Sequence, residues 1–307
     1  MRKGRRVRYQ TILRQIETVA RVGSIRRAAE ELAITPSALN RRIQAFEEEL
    51  GEKVFERLSQ GVRLNPAGEL LVFSARRQMA ESERLRSQIA DLSGMRRGHV
   101  SVACSQALAP YFLPEQMLAY TAAFPQVTFE IQVRDRGRAE HVLADYGADF
   151  ALVFGPARLP EIQVVVQAAQ VLNIVVGREH PLAQAGVVRL RDCLRYPLAL
   201  PTTAFGGRQM LDAAVARSSM PQRILVESDS FEFLKGVVAA SDAVMVQIPI
   251  GAPVDPDDRI VSRPIDVRDI PESMLSVLQL RGRTLPVAAA RFMDQVVRAL
   301  EARFPVT

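Results

Sequence analysis

The sequence predicts a multidomain α+β and α/β chain. It should consist of an N-terminal winged helix-turn-helix, one long linker helix and an α/β body. Three observations predict it. Helix, short turn, helix and a small hairpin follow one another within residues 8–65. An uninterrupted helical pattern then runs from about 66 to 92. From Gly98 onward, strand-like and helix-like segments alternate to the end of the chain, the pattern of a parallel, doubly wound body.

The first helix is read from Ile12, Leu13, Ile16, Val19 and Ala20 at helical spacing within residues 8–22. Gly23 ends it and Ser24 caps the next, Ile25 to about Ala33. The small pair Ala28-Ala29 lets a neighbouring helix approach closely. Thr35 is an N-cap and Pro36 occupies a first helical turn, where its missing N–H leaves no bond unmade. The third helix carries Leu39, Ile43, Phe46 and Leu50 on one face and Ser37, Asn40, Arg41 and Gln44 on the other, and Gly51 stops it. Val54-Phe55 and Val62-Arg63-Leu64 read as a hairpin turning near Ser59-Gln60-Gly61. The fourth helix starts at Pro66. It mixes Leu70, Leu71, Phe73, Met79, Leu85, Ile89 and Leu92 with charges, too polar for a monomer's core and suited to pairing with another chain.

The body starts with a strand at 99–104, a helix from Leu113 to about Phe124, a strand at 127–133, a helix at 139–146 and a buried strand at 150–154. Val164–Val166 and Val171–Val176 read as a crossover and the first strand of a second subdomain. A short strand at 198–200, a helix at 206–217, a strand at 224–226, a helix at 230–240 and a strand at 244–246 follow. A strand at 277–280 and a helix at 286–302 complete the chain.

Composition bounds the rest. The chain has 307 residues, with 40 basic and 34 acidic side chains, 48% hydrophobic residues, two cysteines and no tryptophan. That length accommodates about two domains, and this composition argues against wholesale disorder. No run of about 20 apolar residues predicts a membrane span. No apolar core follows the basic leader Arg2–Arg8, so secretion is not expected. Two cysteines make no disulfide framework and fit a reducing cytoplasm. Residues 1–98 carry 20 basic against 12 acidic side chains, whereas residues 99–307 carry 20 against 22. Positive charge concentrated in the first third points to a polyanion-binding module on a nearly neutral body.

The segments Gly23-Ser24-Ile25-Arg26-Arg27-Ala28-Ala29-Glu30-Glu31-Leu32, Thr35-Pro36-Ser37-Ala38-Leu39-Asn40-Arg41-Arg42-Ile43 and Glu47-Glu48-Glu49-Leu50-Gly51 resemble the LysR-type transcriptional regulators. Phe55-Glu56-Arg57 and Leu64-Asn65-Pro66-Ala67-Gly68 continue the likeness. The resemblance implies a homodimer or homotetramer on partly palindromic double-stranded DNA, with long helices in the dimer contact and RNA polymerase as a partner. It also implies a two-lobed α/β effector domain resembling periplasmic binding proteins, with a small molecule in the inter-lobe cleft. Two positions depart from the family's pattern. Pro36-Ser37 stands where a glutamine-proline pair is common, and Asn40 where serine is common, so base preference does not transfer. The expected domains are 1–65, the linker helix 66–95 and the body 96–307. Lobe I would be 96–163 plus 270–307, and lobe II 164–269.

The expected DNA-facing residues are Arg27, Thr35, Ser37, Asn40, Arg41, Gln44 and Arg63. Thr35 and Ser37 sit at a helix N-terminus, where phosphate is favoured. Asn40 and Gln44 have amides that pair with adenine, and Arg41 reaches phosphate or a guanine edge. Arg27 and Arg63 are phosphate contacts. In the body, ligands of open α/β sheets bind beyond the carboxyl ends of strands. That rule and the family's usual segments give Ser105, Gln106, Thr202 and Thr203, with Phe154 and Phe205 as apolar walls and Gln247 as a donor. Neutral donors near helix N-termini favour an organic carboxylate.

No catalytic residue, metal site or cofactor is expected. His99, His141 and His180 are scattered, and no HExxH, GxSxG or GxxxxGK[ST] pattern occurs. An alternative is a thiol-based redox sensor of the same architecture using Cys104 and Cys193. A periplasmic solute-binding protein would share the two-lobed body but not the basic head.

Overall fold

The structure is a computed structural model that describes residues 3–92, 97–155, 159–218, 220–252 and 259–306. The leader residue Arg2 and the expected linker–body boundary at 95/96 lie outside the described residues. The chain divides into two units, Met1–Arg86 and Ser87–Thr307.

In the first unit, α1 (Lys3–Val22), α2 (Ile25–Glu31) and α3 (Pro36–Leu50) enclose Leu13, Ile16, Val19, Ala28, Ala29, Leu39 and Ile43. The helix α1 begins five residues before the expected start at 8, because the arginines there are good helix formers. The alanine pair of α2 is fully buried, as small residues at a close helix approach must be. The caps are those the sequence names. Ser24 Oγ accepts from Arg27 N at 3.4 Å, and Thr35 Oγ1 accepts from Ala38 N at 3.3 Å. Gly51 ends α3 at φ 82°. The strands β1 (Phe55–Arg57) and β2 (Val62–Leu64) pair antiparallel as the wing. Two ties hold it. The buried Glu47 carboxylate accepts from Val54 N at 2.9 Å and pairs with Lys53 Nζ at 3.1 Å. Val62 N donates to Gly23 O at 3.0 Å. At the wing tip Gly61 has φ 97°, and a Cβ there would lie 2.4 Å from Gly23 O. Gly61→Ala should therefore destabilise the unit by about 1–3 kcal/mol, read as a lowered thermal midpoint; an unchanged midpoint would contradict this wing seating. The long helix α4 (Pro66–Leu92) follows, with Leu70 74% and Leu85 54% exposed.

The second unit opens with β3 (Arg97–Cys104), α5 (Phe112–Ala123), β4 (Gln126–Val133), α6 (Arg136–Ala144), β5 (Phe150–Phe154) and β6 (Ile162–Gln170). Then come β7 (Asn173–Gly177), α7 (Leu190–Cys193), β8 (Leu198–Pro201), α8 (Gly206–Ala216), β9 (Ile224–Ser228), α9 (Phe231–Ala239) and β10 (Met245–Gln247). The last elements are β11 (Ile260–Pro264), β12 (Ser273–Leu280) and α10 (Val287–Glu301).

Three sheets make the two lobes, one in the first and two in the second. In the first, the strand order is β4-β3-β5-β12-β6. Side chains alternate between its covered faces. Phe150, Leu152 and Phe154 of β5 join the cluster that contains Phe292 of α10, while Ala151 and Val153 pack with Ala139 and Leu143 of α6. In the second, β7 lies between β10 and β11, and β8 pairs with β9. A bridge between Leu198 and Val244 joins the two sets.

Three expectations need correction. The sheets are mixed rather than all parallel: β12 runs antiparallel to both β5 and β6, and β7 antiparallel to both its neighbours. Apolar periodicity marks a strand without marking its direction. The stretch expected as a crossover at Val164–Val166 is part of β6, which pairs with β12 from Ile162↔Leu280 to Gln170↔Ser273. It belongs to the first lobe, so lobe II begins after residue 170 rather than at 164. The strand β11 and the short helix α7 were not expected, because Ser262, Arg263 and Pro264 follow only two apolar residues in β11 and α7 is a single turn of four residues.

Candidate functional site

Two surfaces carry the chemistry, one in each unit. In the first unit, burying Leu39, Ile43 and Phe46 turns the other side of α3 outward. Thr35, Ser37, Arg41 and Gln44 are exposed and Asn40 is half-buried. The helix opens with the Thr35 cap, whose hydroxyl also lies 3.3 Å from Ser37 Oγ. Among the described residues, no carboxylate lies within ion-pair distance of Arg41, and Asn40 and Gln44 make no side-chain hydrogen bond. Four hydrogen-bonding side chains thus share one solvated helix face. Arg63 and Arg27 differ. Arg63 on the wing pairs with Glu56 at 2.8 Å, and Arg27 donates to Val22 O at 2.8 Å. Both are exposed, but each guanidinium is already partly engaged.

In the second unit a cavity lies between the lobes, enclosing about 490 Å³ of space, part of it open to solvent. Lobe I contributes Ser105, Ala107, Asp135, Arg136 and Phe154; lobe II contributes Phe205, Gly206, Phe231 and Gln247 among others. Ser105 follows β3 directly and its N–H bonds Leu152 O at 3.0 Å. Asp135 caps α6, accepting from Arg138 N at 3.0 Å, and so starts the helix with Arg136 at the wall. Two glycines make room. A Cβ on Gly155, at φ 103°, would lie 2.2 Å from Arg136 Nη1, and one on Gly206 would lie 3.1 Å from the Phe154 ring. The Phe205 and Phe231 rings meet at 5.0 Å.

Gln247 closes β10 with only 2% of its surface exposed, and neither its amide nitrogen nor its amide oxygen has a hydrogen-bond partner. An unsatisfied buried polar group costs about 1–3 kcal/mol, so this amide is set against stability at the wall. Ser105 Oγ is likewise buried without a partner.

Of the expected cleft residues, Ser105, Phe154, Phe205 and Gln247 stand on the cavity wall. Gln106, Thr202 and Thr203 do not. Gln106 instead ties the lobes together, accepting from Phe231 N at 2.9 Å and donating to Asp229 O. Thr202 N donates to Ser228 O at 3.2 Å and the Thr203 carbonyl accepts from Gln209; their place on the wall is taken by Ala204, Gly206 and Gly207. Arg136 and Phe231 were not anticipated. The rule that found Ser105 would have found Arg136 too, since α6 starts just beyond the carboxyl end of β4. Arg208 is buried and committed to structure, bonding Asp212 at 2.8 Å, Pro201 O at 2.9 Å and Glu227.

The thiols stand apart. Cys104 is in the first lobe and Cys193 in the second; both are free and buried, and burial pushes each up to about 12. Such a thiol is almost wholly protonated near neutral pH and a poor nucleophile. Neither is expected to react with iodoacetamide at pH 8 in the native protein, and both should react after denaturation. Fast native labelling of Cys104 would contradict this burial. Among the described residues, no cluster of histidine, cysteine, aspartate or glutamate could hold a metal ion, and no helix is long and apolar enough to cross a membrane.

A winged three-helix head with a solvated polar helix face, and a two-lobed α/β body with a cavity at the lobe boundary, define the class of ligand-responsive DNA-binding regulators. The chain belongs to the LysR family. Residues 11–69 match the family described as "Bacterial regulatory helix-turn-helix protein, lysR family", and residues 93–301 match the "LysR substrate binding domain". It is a DNA-binding transcriptional regulator with an effector-binding domain, and its relatives are regulators rather than enzymes. It is 26% identical over 232 residues to a probable RuBisCO transcriptional regulator of Porphyra purpurea, covering 74% of this chain and 73% of that protein. Its fold is similar to a full-length OxyR variant from Pseudomonas aeruginosa, with a TM-score of 0.69 at 20% identity over 95% of this chain and 94% of that one. It is also similar to full-length CbnR solved with its target DNA, with a TM-score of 0.55 at 21% identity over 95% of this chain and 99% of that one.

Proposed function

We propose that the protein is a cytoplasmic regulator that binds partly palindromic double-stranded DNA as a homodimer or homotetramer and responds to a small organic carboxylate. The polar face of α3 lies in the major groove. Asn40 and Gln44 pair with adenine edges, and Arg41 meets a guanine edge or a phosphate. Thr35 and Ser37 offer hydroxyls and N–H groups to phosphate at the start of α3. Arg63 and Arg27 add backbone contacts once released from Glu56 and Val22. The exposed leucines of α4 support pairing with a second copy, and RNA polymerase bound nearby receives the signal.

The observation that carries the ligand reading is the cavity wall itself: Arg136 and the unpartnered Gln247 amide beside the starts of α6 and α8. Helix starts and a guanidinium favour an anion. The buried, protonated thiols give the redox alternative no support.

The test is DNase I footprinting on DNA fragments captured by the purified chain, with and without a panel of organic acids. A protected site whose length or affinity changes with an acid is expected. Protection that no acid alters, or no protection at all, would overturn the corresponding half of the proposal.

A further inference from the structure

The two lobes are joined by more than the chain that crosses between them. Gln106 stands in the first lobe, in the short turn Gln106–Leu108 that follows β3. Its amide oxygen accepts from Phe231 N at 2.9 Å and its amide nitrogen donates to Asp229 O, both in the second lobe. Phe231 is the first residue of α9, and the first turn of a helix leaves N–H groups without partners of its own. Ser230 of the second lobe meets one of them, accepting from Phe233 N at 3.3 Å. Gln106 meets another from across the boundary, so the start of α9 is capped by one residue from each lobe. One turn further on, Lys235 crosses the same seam. Its Nζ lies 4.7 Å from the centre of the Tyr111 ring and 3.5 Å from the Tyr111 hydroxyl, with only 5% of the residue exposed. Glu232 holds the ammonium from its own side at 2.9 Å. The backbones also meet here: a Cβ on Gly251 would lie 2.8 Å from both Cβ and O of Ala107. Gly251 is therefore a residue the seam needs in order to close.

A second edge of the cavity is built differently. There the start of α8 meets the first lobe through Gly206, where a Cβ would lie 3.1 Å from the Phe154 ring and 3.2 Å from Phe154 O. A glycine against a ring is held by dispersion, which is weak per atom pair and lost with a small separation. Parting the first seam instead leaves a helix N–H and a lysine without their partners. From this contrast we infer that the seam of residues 106–111 against α9 is a fixed clasp, and that the lobes part at the edge between the start of α8 and Phe154. The clasp is made of the chain's own groups and needs no particular ligand. Because Gln106 caps α9, opening the clasp would also loosen the first turn of α9 and unseat Phe231, which stands on the cavity wall. Gln106 and Lys235 are not on that wall themselves; they are positioning residues that set it.

Hydrogen exchange of the full chain, read residue by residue by mass spectrometry, tests the clasp. Phe231 and Gly206 each open a helix, so their amides make a matched pair once intrinsic rates are divided out. In the parent the Phe231 amide should exchange about tenfold or more slower than that of Gly206. Gln106→Leu should speed the Phe231 amide by about fivefold to tenfold and leave β5 exchanging as in the parent, a local change that a loss of overall stability would not give. If Gln106→Leu speeds exchange throughout β5 as well, Gly251→Ala takes its place. It wedges the seam apart while leaving Gln106 intact, and should give the same local rise at Phe231. A Phe231 amide as fast as that of Gly206 in the parent, or one that neither substitution speeds, would overturn the inference.

Discussion

Arg41→Ala is expected to weaken binding to operator DNA by roughly 1–3 kcal/mol, about tenfold to hundredfold, without unfolding the head. The reason lies in how α3 is built. Its apolar side is spent on Leu39, Ile43 and Phe46, so Arg41 does no packing, and no carboxylate among the described residues holds its guanidinium back from a phosphate or base. Arg63 provides the internal contrast. It is bound to Glu56 at 2.8 Å, so its release offsets part of what it gains on DNA, and Arg63→Ala should cost less. Gel shifts at several salt concentrations separate the two roles open to Arg41. Loss of a phosphate contact lowers the slope of log K against log salt by about one. Loss of a base contact leaves the slope and relaxes preference at one base pair. An affinity equal to the parent's would remove Arg41 from the interface.

Phe292→Ala should destabilise the second unit by about 3–5 kcal/mol. Phe292 is fully buried on α10 and meets Phe129 at 4.8 Å, Tyr120 at 5.3 Å and Phe150 at 6.0 Å. Its ring joins α10 and α5 to the first sheet, and Tyr120 extends the join by donating to Ala288 O at 3.1 Å. At about 2–4 °C per kcal/mol for a unit of this size, the midpoint should fall by about 6–20 °C in scanning calorimetry. A fall below about 2 °C would contradict the packing of α10 onto this sheet.

The head was legible in the sequence almost residue by residue because its signals are local. Ser24, Thr35-Pro36 and Gly51 mark helix ends by their own backbone chemistry, and the alternation of Leu39 and Ile43 with Asn40, Arg41 and Gln44 assigns the two faces of α3. The body was legible as strands and helices but not as a topology. The direction of β12 depends on where the chain returns from the second lobe, and nothing within residues 273–280 records it. The cavity was half legible for the same reason. Ser105, Phe154, Phe205 and Gln247 follow strand ends or open helices. Thr202 and Thr203 do too, but the turn they belong to directs its backbone to Ser228 and Gln209 and leaves the wall to smaller residues. The rule that gives Ser105 also reaches Arg136 at the start of α6, but its guanidinium packs against residue 155, nineteen positions along the chain, a glycine at φ 103°. That is a pairing no local pattern contains.

Operator recognition by this protein rests on α3 reading bases in a major groove. Selection of randomised duplexes by the purified full chain, sequenced alongside selections by Asn40→Ala and Gln44→Ala, tests this directly. The parent should enrich one partly palindromic sequence, and each variant should lose preference at a defined A·T pair in both half-sites while retaining general affinity for DNA. Enrichment of the same sequences, at the same strength, by the parent and both variants would show that α3 does not read the operator.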